Sequence, residues 1–132
     1  MNLKALIIFV FGAALLAVCV PVFGHHGAAS YDPKLTTQKG TVTDFKFINP
    51  HSEIYFDVTD AAGNGQKWIA EAVSVASMSR DGWTKNTLKP GDRVTIVGNC
   101  AKNGSHTTRL SKIVLADGKS FTIERGEDYA DQ

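Results

Sequence analysis

Hydrophobic and polar positions divide the 132-residue chain into two unlike parts. Residues 5–20, ALIIFVFGAALLAVCV, are apolar almost without a break. With Lys4 before them and Val22 and Gly24 after, they form the charged, apolar and small-residue regions of a secretory signal over residues 1–24. The run is too short, and its flanks too poor, for a membrane-spanning helix. Beyond residue 24 the apolar runs are short. Residues 25–37 form an extended lead-in interrupted by Pro33. QKGTVTDFKFI, residues 38–48, is rich in β-branched and aromatic residues and predicts a long first strand. In EIYFDVTD, Ile54, Phe56 and Val58 alternate with Glu53, Tyr55 and Asp57, the period of a half-buried strand. QKWIAEA, residues 66–72, predicts a third strand. In SVASMSRDGW the spacing changes to helical, with Ser74 as N-cap and Gly82 as the stop. RVTIVGNCA, TTRLSKIVLA and SFTIE then predict strands four to six, separated by KNGSH and DGK, and residues 125–132 form a polar tail.

Three strands, a helix and two or three further strands make an all-β architecture. The plan is a small OB-like, five- to six-stranded antiparallel barrel over residues 38–124, with one short helix between strands 3 and 4. A sandwich or open roll has the same element order. Removing 24 residues leaves 108, enough for one core. The 14 basic residues fall to 13 when Lys4 leaves with the signal, against 13 acidic. A balance this neutral gives no electrostatic footprint for nucleic acid or an anionic membrane, so the partners expected are a metal ion or another envelope protein. The expected location is periplasmic or secreted. Lipidation at Cys19 is the alternative to simple cleavage, although Val18 is bulkier than that motif usually allows. With Cys19 removed, Cys100 is the remaining thiol, expected to pack inside a strand, with metal contact as its other role.

The motifs HHG, GTVTDFKFINPH, IYFDV, DGWTKNTLKPGD and AKNGS resemble a family of small exported bacterial proteins known as a domain of unknown function. Its members open their mature part with His-His-Ser and carry the same strand running into Asn-Pro-His. The likeness spans roughly the whole mature chain. Gly27 stands where the family usually has Ser, and Ser52-Glu53 where an apolar-aromatic pair is common. The resemblance implies boundaries and fold, and no chemistry.

Chemistry rests on the four histidines. A cut after Gly24 would make His25 the first mature residue, whose α-amine and ring nitrogen chelate one ion. With a further His this is an all-nitrogen set suited to Cu(II). His26 offers a related chelate through the amine and a backbone amide. His51, between strands one and two, and His106, between strands four and five, sit in loops that flank one face of an OB barrel and would complete the site. Glu53 and Tyr55 share that face and would support the ligands. The reading is an exported copper-binding protein acting in delivery, storage or sensing, and not an enzyme. No nucleophile triad, phosphate loop or HExxH helix is present, and copper oxidation from an N-terminal His is generally built on larger scaffolds. The competing reading is an OB-type binding module for a protein or small envelope ligand. It would use the strand 2–3 face around Tyr55 and Trp68, where Tyr55 and Phe47 would offer a stacking platform.

Overall fold

A computed structural model of the protein describes residues 28–123. A single 3-10 turn, Ala28–Ser30, leads into β1 (Tyr31–Lys46), followed by β2 (Glu53–Thr59) and β3 (Gly65–Glu71). The short helix α1 (Val75–Arg80) comes next, then β4 (Arg93–Ala101), β5 (Thr107–Leu115) and β6 (Ser120–Thr122). The strands hydrogen-bond in the order β3-β2-β1-β4-β5-β6, and β3 also pairs with β5. That last pairing is parallel, runs from Ile69↔Thr107 to Glu71↔Arg109, and closes five strands into a barrel. All other ladders are antiparallel. The topology is that of an OB-fold, with its helix between strands three and four.

The alternation in β2 decides which side faces in. Ile54 and Phe56 are buried, while Tyr55 and Asp57 lie on the outer face. Cross-strand partners share a face, so Phe56 and Trp68 meet on the inner side and Tyr55 and Ile69 on the outer. Val42, Ile54, Phe56, Ile96, Leu110 and Ile113 fill the barrel. Met78 of α1 and the following Trp83 close one end, where the Trp83 ring packs on Phe121 at 4.5 Å and Phe45 at 5.8 Å. Ser74 caps α1 by accepting the Ser77 amide hydrogen bond, and Gly82, at φ +84°, turns the chain out of it.

Two departures from the sequence reading have local causes. β1 begins at Tyr31 rather than residue 38, so residues expected in a loose lead-in pair with β4. Pro33 lies where that ladder shifts register between Tyr31 and Leu35, and Asn99 Nδ2 donates to the carbonyls of Asp32 (2.9 Å) and Pro33 (3.2 Å) there. A proline in a strand is tolerated at such an irregularity because no ladder donor is required. The second concerns Ser52, fully buried at a position where an apolar residue is common in the resembled family. Its hydroxyl donates to the Ile48 carbonyl, its amide to the Val73 carbonyl, and its own carbonyl accepts from Ala72.

Candidate binding surface

The β1–β2 connection is held tightly. Asn49 Oδ1 accepts from the Val75 amide at the start of α1, the Asn49-Pro50 bond is cis, and Ser52 ties the segment to residues 72–73. His51 is therefore fixed and exposed near the end of the barrel that α1 caps. Strand register puts the other loop histidine elsewhere. His106 precedes Thr107, which pairs with Ile69, whereas His51 precedes Glu53, which pairs with Glu71. The two differ by about five positions along the strands, about 16 Å at 3.3 Å per residue. At that offset the register itself lends no support to His51 and His106 meeting at one ion. Among the described residues no group of three or more His, Cys, Asp or Glu side chains is placed to hold a metal. His25 and His26 lie outside the described residues.

His106 has a different companion. Its ring lies on the indole of Trp68, with centroids 5.0 Å apart and planes 13° from parallel. The Ile69 amide donates to the His106 carbonyl at 3.0 Å, fixing the loop end against β3. Beside this stack runs a groove of about 440 Å³. It is lined by Thr43 and Asp44 of β1, Tyr55 and Phe56 of β2, Lys67, Trp68 and Ile69 of β3, and His106 and Thr107 at the start of β5. The indole Nε1 of Trp68 is buried and has no hydrogen-bond partner among the described residues.

Tyr55 is positioned by both neighbours. Its hydroxyl donates to Glu53 Oε2 at 2.6 Å and accepts from Lys46 Nζ at 3.1 Å, while that ammonium also lies 4.5 Å from the ring centroid. The hydrogen bond to Tyr55 is the main cause that holds the Lys46 ammonium above its ordinary pKa. Glu53 is thus a partner of Tyr55 and Lys46, 4.0 Å from the latter, as the alternating pattern of β2 allows. Phe47 does not join Tyr55 in a platform. It packs on Phe45 at 5.7 Å against the core, and the flat surface is made by Trp68 and His106 instead. Lys46 and Lys67 were absent from the sequence-derived site, although their places on the outer face follow from the same period-two alternation once register is known.

Cys100 of β4 is half-buried. Its Sγ lies 3.0 Å from Thr36 Oγ1 and accepts from Gln38 Nε2 at 3.2 Å. The first described residues lie beside the β4–β5 loop: the Lys102 amide donates to the Ser30 carbonyl. There a second groove, of about 430 Å³, lies between Ala29–Ser30 and the loop, with Tyr31 and Glu71 hydrogen-bonded across it. No helix among the described residues is long and apolar enough to cross a membrane.

These features define a small OB-fold protein with a groove lined from β1, β2, β3 and the end of the β4–β5 loop, beside the Trp68–His106 stack. The chain belongs to a family of unknown function, DUF6152, whose sequence profile matches residues 13–110. No protein of curated function matches it in sequence. Among solved structures it is similar to the mitochondrial single-stranded DNA-binding protein Rim1 of S. cerevisiae, at 10% identity and a TM-score of 0.49, over 64% of this chain and 95% of that one. A small single-stranded DNA-binding protein from Streptomyces coelicolor matches at 16% identity and a TM-score of 0.48, over 67% and 96%. The ZRD-deleted mutant of TiaS in complex with agmatine matches at 19% identity and a TM-score of 0.43, over 75% and 24%. The exclusion of nucleic acid drawn from net charge is corrected by these matches. Two of the proteins it is similar to are single-stranded DNA-binding proteins.

Proposed function

We propose that the protein is an exported binding module that receives a flat, largely apolar group of its ligand in the groove between β2, β3 and the β4–β5 loop, and that it binds rather than catalyses. The observation carrying this reading is the Trp68–His106 stack beside the groove. A flat aromatic pair of this kind offers area and orientation at little cost in side-chain entropy. Lys67, together with the Lys46–Tyr55–Glu53 cluster, supplies polar groups at the rim. The test is an amide-resolved NMR screen of the mature protein with small planar aromatic compounds. Binders are expected to shift residues 67–69 and 106–107 together, and Trp68→Leu is expected to weaken them at least tenfold while His51→Ala leaves them unchanged. Shifts scattered over the surface, or a Trp68→Leu protein that binds equally well, would overturn the reading.

Copper binding is the second reading, and one observation favours a revised form of it. Ser30 is tied to the β4–β5 loop, the loop that ends at His106. His25 and His26 precede Ser30 by five and four residues, a contour of at most about 17 Å. The ligand set then becomes the amine and ring of His25 with His106, His26 being an alternative and His51 taking no part. Cu(II) titration followed by EPR, on protein whose mature N-terminus has been confirmed by mass, tests this. One extra residue before His25, or His106→Ala, is expected to change both affinity and spectrum. Identical spectra from all forms would rule out the amine-based site.

A further inference from the structure

We infer a second binding site, away from the Trp68–His106 groove, that takes the phosphate and hydroxyl groups of a phosphorylated sugar or polyol. It is the largest of the three grooves named, about 500 Å³, and crosses the outer face of β2, β1, β4 and β5.

Register builds it. Thr41 pairs with Asp57 on one side and Arg93 on the other, and Lys39 pairs with Thr95, which in turn faces Val114. These residues therefore share the outer face, with Lys39 and Arg93 as diagonal neighbours about 7 to 8 Å apart. The strands are pressed together here by Gly40: a Cβ at that position would come within 2.5 Å of the Asp57 carbonyl oxygen and 2.8 Å of the Phe56 ring. Asp57 and Thr59 of β2 line the same groove as the cations of β1 and β4.

The chemistry of the lining is specific. Lys39, Arg93 and Asp57 are all exposed, and none makes an ion pair with a described residue. Two cations held on adjacent strands suit a phosphate, the guanidinium binding two of its oxygens at once. The hydroxyls of Thr41 and Thr95 add donors beside them. Asp57 would oppose a bare anion, but its carboxylate accepts hydrogen bonds from ligand hydroxyls, so it favours a phosphate that carries them. Residues 114–116, Val-Leu-Ala, give an apolar wall for the carbon face of such a ligand. The inference is independent of the groove proposed above, because the two sites share no lining residue.

The experiment is an amide-resolved NMR titration of the mature protein with glucose 6-phosphate, inorganic phosphate, glucose and sodium chloride at matched ionic strength. Glucose 6-phosphate is expected to shift residues 39–41, 57–59 and 93–95 saturably, with inorganic phosphate weaker and glucose alone silent. Arg93→Gln is expected to weaken both phosphates about tenfold, the usual scale for a charge-assisted contact. Asp57→Ala, which removes the acceptor, should abolish the preference for the sugar phosphate over inorganic phosphate. Both positions are exposed, so the variant spectra also verify the fold. Shifts that sodium chloride reproduces, shifts centred elsewhere, or an Arg93→Gln protein that binds as well would each overturn the inference.

Discussion

Asp60 shows how one carboxylate fixes a turn. In the β2–β3 connection its Oδ1 accepts from the amides of Asn64 and Ala62, both at 2.9 Å, and Gly63 takes the positive φ that closes the loop. The amide of Asn64 is the main cause that holds the Asp60 carboxyl below its ordinary value of 3.8. A depressed carboxyl binds fewer protons in the folded state than in the unfolded one. Its contribution is therefore present above pH 3.8 and fades as pH falls through the lower, folded value. The protection of amides 62 and 64, taken against intrinsic exchange at each pH, should fall over that acid range, and Asp60→Ala should lower it in the same way at neutral pH. Unchanged exchange in the variant would show that the turn stands without the carboxylate. Sequence signals this type of residue, an Asp before a Gly-rich turn, because the interaction is local. The Trp68–His106 stack joins positions 38 apart, and no local pattern announces it.

At the scale of elements, short-range patterns specified what they govern. The alternation of β2, the Ser74 cap and Gly82 stop of α1, and the bounds of β4 are all visible in the chain. The early start of β1 is not, because Pro33 argues against a strand and the compensating Asn99 lies 66 residues further on. A second long-range constraint sits at Gly98, where β4 and β5 change register between Val97 and Gly98. A Cβ there would collide with the Arg109 carbonyl oxygen and the buried Thr108 hydroxyl, which itself donates to the Asn99 carbonyl. Gly98→Ala is expected to destabilise the protein by about 1 to 3 kcal/mol, the scale of overpacking, measured by urea unfolding. A loss below about 0.5 kcal/mol, the ordinary level for a neutral surface change, would mean the ladder yields freely at this point.

For the whole molecule, an element order of three strands, helix and strands pointed to a barrel, but the stagger at which it closes could not be read from order alone. That stagger separates His51 from His106 and brings His106 to Trp68. It also decides what the aromatic groove does to the fold. The parallel seam between β3 and β5 is three residue pairs long, from Ile69↔Thr107 to Glu71↔Arg109. Residues 67–69 lie on one side of that seam and 106–107 on the other, and the groove takes lining from both. An occupant would therefore touch both margins of the shortest closure in the barrel, and whatever binds the closed form alone makes opening rarer. Ligand and seam would act as a clasp: the surface proposed to recognise a partner is also the place where the barrel is fastened.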